Sequence, residues 1–396
     1  ALSREEFEEP NIHTAQGLLL AGGVESDRGD SAGGERLLRE ALELHEQLYG
    51  ESSPQVAAVL LSLGAVHEET NRWREALGIY RRAREIWLAQ PGENARSLAT
   101  SSHSLAVVHW RLGEYEEATG LLRGAIAALE ALGDEASGSL LGSRNTLADV
   151  LSEAGRLEEA EALLEATLDS ALRVFGPSHS RTGTAYNSLG NLRVRIGSWR
   201  AARESYRSAQ KAYEAAGGAD HPWVAYPVDN LGLLDSAEGR YRDAEGQHRR
   251  ALEIREAHTA ALDLATSWLG LARALNAQGD RPGEVESALG EARALLDAAG
   301  QEAQEIEASI SLQTGLLRYA RGDLEGAAAQ IERASAADGF LHARFEARIA
   351  LAEIARARQR PEQALRHEAE AQKIVDNLPL EVSEGWAERF RASLRP

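Results

Sequence analysis

The sequence predicts an all-α chain, a solenoid of about nine antiparallel helical hairpins followed by a C-terminal capping helix. Three features carry that prediction. Small residues recur at a fixed step of 42 along much of the 396-residue chain. The apolar residues around them fall at helical rather than strand spacing. A further column of Gly or Asn marks the point in each unit where a helix has to stop.

Gly34, Ala76, Ala118, Ala160, Ala202 and Ala244 form the first column. Seven residues later stand Ala41, Ala83, Ala125, Thr167, Ala209 and Ala251. Twelve residues before the first column stand Gly22, Gly64, Ala106, Ala148, Gly190 and Gly232. A repeat of roughly 20–50 residues held in register six times is the signature of a stacked array. In the first helix of each unit, helix A, Leu63, Leu105, Leu147, Leu189 and Leu231 precede the small residue. With neighbours three residues away, as in Leu60, Leu63, Gly64 and His67, they make one apolar face. Gly29, Asn71, Gly113, Gly155, Gly197 and Gly239 follow, where helix A ends. A left-handed residue commonly closes a helix, and Gly or Asn tolerates that conformation. Trp73, Tyr115, Leu157, Trp199 and Tyr241 fill the hairpin corner. Helix B then begins, and its small residues allow a close approach to helix A.

After Ala251 the register loosens. Trp268, Leu271, Ala272, Leu275 and Gly279 mark a seventh helix A, and Pro282, Val285, Leu289 and Ala292 its helix B, one residue out of step. Gly315, Gly322, Ala327, Ile331 and Ala334 mark an eighth unit, and Leu351, Ala352, Ala364 and Ala371 a shortened ninth. The expected organisation is one domain over residues 1–396: a lead of residues 1–10, hairpins over 11–377 and a capping helix over 378–396 that covers the last apolar face. No linker rich in Pro, Gly or Ser interrupts it.

At these columns the chain resembles the tetratricopeptide repeat. The ordinary repeat has about 34 residues; the longer step here adds roughly one turn of ~3.6 residues to each helix, which keeps the faces in phase. The long form is similar to the repeats of kinesin light chains and related bacterial proteins. The linkers Phe175-Gly176-Pro177-Ser178-His179-Ser180 and Gly217-Gly218-Ala219-Asp220-His221-Pro222 resemble that subfamily's inter-repeat loop. The resemblance implies a right-handed superhelix whose concave groove takes a peptide segment or a partner protein, without catalysis.

Composition narrows the alternatives. The net charge is −19, from 43 Lys plus Arg against 62 Asp plus Glu, so a phosphate backbone would be repelled and nucleic-acid binding is not expected. The bland reading of this charge is solubility, and the pointed one a basic partner segment. With no Cys there is no disulfide framework, thiol nucleophile or Cys zinc site. No apolar run reaches the ~18 residues of a membrane span, no signal peptide is visible, and a cytoplasmic location is expected. Lys211 and Lys373 are the only lysines, a bias that suggests a GC-rich bacterial genome. Without Met, either Ala1 follows a removed initiator or the chain is a piece cut from a longer protein; the repeat beginning almost at once favours the second.

No catalytic, cofactor or metal site is expected. A phosphate loop of the G-x-x-x-x-G-K-[ST] type is absent. His67-Glu68-Glu69-Thr70 resembles the start of a zinc-protease helix but has Asn71 where the second His would stand, and His67 reads as a packing residue. His103 and His109, six apart, do not share a helix face. The pairs Glu116-Glu117 and Glu158-Glu159 suit the positive end of helix B.

The surface remains. Helix A projects residues into the groove at steps of three, four and three. These are Thr100, His103, Val107 and Trp110 in the third unit; Gly142, Asn145, Asp149 and Ser152 in the fourth; Thr184, Asn187, Asn191 and Val194 in the fifth; and Tyr226, Asp229, Leu233 and Ser236 in the sixth. Arg111 and Arg195 stand at the groove edge. Asn145 and Asn187, 42 apart, predict a ladder, with Asn191 one turn on from Asn187. A carboxamide can both donate to and accept from a peptide backbone. The same side chains could equally be solvated polar groups. The resemblance singles out Asn187 and Asn230 as peptide-holding positions. Trp110 beside His103 reads either as an aromatic pocket or as a packed bridge between hairpins. The expected function is a non-catalytic scaffold that binds a peptide or partner protein in the groove. A specialised version is peptide-pheromone reception. The alternative is a regulatory or sensory segment of a larger bacterial signalling protein of Ser/Thr kinase, STAND ATPase or CHAT protease type, acting on other domains of its own polypeptide. The tail from Leu378-Pro379-Leu380-Glu381 to Phe390-Arg391-Ala392 resembles the ends of such arrays.

Overall fold

The computed structural model describes residues 11–90, 94–133, 138–256, 261–299, 304–336 and 341–376. The lead of residues 1–10 and the capping helix expected over 378–396 lie outside the described residues. Among those described there are 18 α-helices, one short 3-10 turn at Pro222–Val224 and no strand. The helices pair as antiparallel hairpins: α1 (Ile12–Asp27) with α2 (Ser31–Tyr49), α3 (Pro54–Glu69) with α4 (Trp73–Ala89), and α5 (Ala95–Arg111) with α6 (Tyr115–Ala131); α7 (Gly138–Glu153) and α8 (Leu157–Phe175) follow. Then come α9 (Ser180–Ile196) with α10 (Trp199–Gly217), α11 (Ala225–Ala237) with α12 (Tyr241–Arg255), α13 (Ala261–Gln278) with α14 (Pro282–Ala299), α15 (Gln304–Ala320) with α16 (Leu324–Ser335), and α17 (Leu341–Ala357) with α18 (Pro361–Asp376). The hairpins gather into two compact units, residues 1–170 and 171–396, with the boundary inside α8.

Local chemistry fixes the helix ends. Asn11, Asp30 and Asp323 accept from the backbone N–H three residues on, each at 2.9 Å, and so cap α1, α2 and α16. Ser53 caps α3, with Pro54 at its first position. The Gly/Asn column behaves as its chemistry demands: from Gly29 (φ 90°) to Gly239 (φ 77°) every member is left-handed, including Asn71 at φ 56°. Gly279 and Gly322 extend the column through the irregular units, and Gln359 (φ 58°) ends it.

The small columns are where helices touch. Ala76, Ala118, Ala160, Ala202 and Ala244 are fully buried. Thr167 stands in an alanine column at no cost in unsatisfied polarity, because its hydroxyl donates to the Leu163 carbonyl at 2.7 Å. Gly64 shows why that column needs glycine: a Cβ there would lie 2.3 Å from Tyr80 Cε1. Gly190 meets Tyr206 and Gly232 meets His248 in the same way. Where Ala106 and Ala148 occupy this column, the residue sixteen on is Leu122 or Leu164, with no ring to accommodate.

Within each unit helix B of one hairpin packs on helix A of the next, and successive A helices also touch: α1, α3, α5 and α7 in the first unit, and α9, α11, α13, α15 and α17 in the second. Among the described residues the B helices make no comparable contact with one another. The A helices are therefore the more closely gathered layer and line the inner face of each unit. The irregular hairpins keep this plan. Val285, Leu289 and Ala292 are buried against Leu271, Ala272 and Leu275, and Ala364 packs on Ala352 and Ala355.

Candidate functional site

In the first unit the inner face carries α5 and α7. His103 is half-buried, with Nδ1 3.2 Å from Ser143 Oγ, and burial lowers its pKa. Trp110 donates from Nε1 to Glu153 Oε2 on α7 at 2.7 Å. The Arg111 guanidinium lies 4.7 Å from the centre of the Trp110 ring and 5.9 Å from that of Trp73 on α4. Of the two readings of Trp110, the bridge between hairpins is the one with an observed contact, and Arg111 is part of it. Asn145 is half-buried with Oδ1 enclosed and without a hydrogen-bond partner among the described residues. Asp149 is exposed on the same helix.

The second unit holds a carboxamide ladder. Asn230 Nδ2 on α11 donates to Asn187 Oδ1 at 3.2 Å and to Asn191 Oδ1 at 3.1 Å, both on α9. The buried Tyr206 hydroxyl also donates to Asn191 Oδ1, at 2.9 Å, which fixes the amide's orientation. Further along the inner face Asn276 Nδ2 on α13 donates to the backbone oxygen and Oε1 of Gln313 on α15, both at 3.1 Å. Arg195 is exposed on α9. Tyr226 is exposed, donates to Asp263 Oδ2 at 2.8 Å and sits over the Arg255 guanidinium. Burial and the nearby Asp263 raise its pKa.

Asp229 is a correction. Spacing places it in the groove, but it is 4% exposed. Its carboxylate lies 2.7 Å from His248 Nδ1, accepts from Ser267 Oγ at 2.7 Å and pairs with Arg255. A buried carboxylate needs this complete set of partners, so α11 is rotated to give Asp229 to the core and Asn230 to the inner face.

Around Asn230 opens a cavity of about 1000 Å³. Trp199, Leu233, Leu316, Phe345 and Ile349 give it apolar walls; Arg273, Asn276, Gln313, Glu346 and Glu353 supply polar groups. Arg273 on α13 reaches Glu346 on α17 at 2.5 Å. Sequence spacing did not single out Arg273, Asn276, Gln313, Glu346 or Glu353, because the constant step ends at Ala251. Leu233 and Ser236 were on the expected inner face and do line the cavity. Among the described residues no group of three or more His, Asp or Glu side chains could hold a metal ion, and no helix is long and apolar enough to cross a membrane.

A family model described as Tetratricopeptide repeat matches residues 13–89, 72–131, 139–215 and 202–257, more than half of the chain, and a second with the same description matches 346–367. No curated protein matches the chain. Among solved structures it is similar to the apo form of RapI, with 15% identity, 92% of this chain and 99% of that one covered, and a TM-score of 0.58. A second is the Rap conjugation gene regulator of the plasmid pLS20 in complex with the Phr* peptide, with 16% identity, 84% and 95% covered, and a TM-score of 0.53. A third, kinesin light chain nearly identical TPR-like repeats from Podosopora anserina, has 19% identity, 52% and 98% covered, and a TM-score of 0.47.

Proposed function

Since the chain belongs to the tetratricopeptide repeat family, a fold that serves protein interaction, we propose that it is a non-catalytic scaffold whose inner groove binds an extended peptide segment of a partner. The observation that carries this reading is the Asn187–Asn191–Asn230 ladder. Asn230 spends its amide donor on two neighbouring carboxamides. The Asn230 acceptor and the amide donors of Asn187 and Asn191 then have no partner among the described residues. An extended backbone offers alternating N–H and C=O groups that match such a row. The Rap regulator of pLS20 was solved with a bound peptide, which supports the same use of this fold.

The test is selection of a displayed random dodecapeptide library on the full chain. A common motif enriched by the wild type and lost by Asn187→Ala/Asn191→Ala/Asn230→Ala, with the far-ultraviolet circular dichroism unchanged, supports the groove. Equal enrichment by both proteins moves the interface elsewhere, and no enrichment by either removes the peptide-binding reading.

A further inference from the structure

We infer that the cavity of the second unit selects a partner segment that combines an apolar side chain with a lysine or arginine. The apolar side chain packs against Trp199, Leu233 and Ile349; the cation meets Glu353. This rests on the groove reading above and gives that groove a partner chemistry.

The charge inventory of the cavity decides the sign. Its charged lining is Glu238, Arg273, Glu346 and Glu353. Glu346 is held by Arg273 at 2.5 Å. Glu238 is held by Arg203 at 2.9 Å and by Arg240. Glu353 has no ion-pair partner among the described residues, and it is exposed at the cavity wall. Two of three carboxylates are thus neutralised from within, and the third presents an uncompensated negative charge beside an apolar surface. A carboxylate next to low-dielectric walls acts on an incoming charge more strongly than one in open water. A partner acid there would meet both Glu353 and the chain's net charge of −19; a partner cation is drawn by both.

The walls define the rest of the occupant. Leu233 is an exposed leucine at the cavity surface, 40% accessible, and the half-buried Trp199 and Ile349 extend this apolar surface. Desolvating it favours a large aliphatic or aromatic side chain over a polar one. Ser236 borders the cavity, but its hydroxyl is buried and has no hydrogen-bond partner among the described residues.

The experiment uses the same dodecapeptide library on the full chain, on Glu353→Gln and Glu353→Arg, and on the triple asparagine variant. The wild type is expected to enrich peptides with Lys or Arg near one large apolar residue. Glu353→Gln is expected to weaken the best synthetic peptide about fivefold, the scale of a partly exposed ion pair. Glu353→Arg is expected to turn the enrichment from basic to acidic residues. A motif that depends on the asparagines but shows no basic preference, or ignores both Glu353 variants, overturns this inference and leaves the groove reading standing. A motif insensitive to every variant, or no motif at all, overturns both.

Discussion

Glu68, at the end of α3, accepts the Tyr80 hydroxyl at 3.0 Å. Burial pushes its pKa above the usual carboxylate range, against the opposing pull of that hydrogen bond and of Arg111. A carboxyl whose pKa is higher folded than unfolded contributes fully below its unfolded value of ~4.3, and the contribution is lost as pH rises through the folded value. Glu68→Gln keeps an acceptor for Tyr80 and removes the buried charge. It is expected to raise stability at pH 7 by about 0.5–1 kcal/mol, an ordinary hydrogen-bond-scale increment, with the gain vanishing near pH 4. Thermal melts of the variant and the wild type at both pH values check this, and an equal gain at both would sink it. The difference between the two proteins is the quantity to follow, because other residues move the baseline the opposite way. Hydrogen bonding from Arg72 holds the Glu35 carboxyl at about 2. Burial lowers the pKa of His67, 3.4 Å away. Glu35, and His67 through its lowered pKa, each favour folding above their unfolded values, so both contributions fade on acidification.

At the scale of the element, the turn between α17 and α18 departs from the pattern that ends the other A helices. Gln359 adopts φ 58° where the corresponding residues are Gly or, once, Asn. A side chain with a Cβ pays roughly 1–2 kcal/mol in that region, and Asn pays less through local hydrogen bonding. Gln359→Gly is therefore expected to stabilise the last hairpin, by about 0.5–1 kcal/mol after the glycine's greater unfolded-state entropy is deducted. Urea denaturation checks it, and an unchanged or lower midpoint would show that the turn carries no such strain. The same turns explain how far the sequence could be read. From α1 to α12 a left-handed residue, a small residue and a corner residue recur in one phase, because each hairpin repeats the geometry of the one before. Steric demand therefore writes itself into the sequence at a fixed step. Groove residues carry no such demand. Asp229 and Asn230 are adjacent, and only the buried partners His248, Arg255 and Ser267 decide which of them turns inward to the core. Beyond Ala251 the hairpins still close on small residues, but the step varies. Asn276, Gln313 and Glu353 then fall at no interval that the earlier repeats define, although the helices carrying them were legible.

For the whole molecule, the two compact units make local damage a test of how far stability is shared. In a repeat array each hairpin is stabilised mainly by itself and its neighbours, so a lesion spreads only as far as those contacts carry it. The Asp229 cluster offers a lesion with a known obstacle. His248 lies between Gly232 and Gly270, and a Cβ added at Gly232 would stand 2.8 Å from its ring. The ring cannot retreat. A Cβ-free glycine also faces it on the other side, where the corresponding approach is 2.4 Å, and its Nδ1 is tied to Asp229, which Ser267 and Arg255 hold in turn. Gly232→Ala is therefore an overpacking substitution, costing about 1–3 kcal/mol, placed where α11, α12 and α13 meet. Hydrogen exchange is expected to quicken in those three helices and in their immediate neighbours within residues 171–396. Exchange in α1 to α6 is expected to keep its wild-type rates, since those amides open through local equilibria that the lesion does not touch. If α1 to α6 quickened by the same factor as α11 to α13, the chain would be opening as a single cooperative body. Stability would then be pooled over all the hairpins, and the nearest-neighbour account of this solenoid would be wrong.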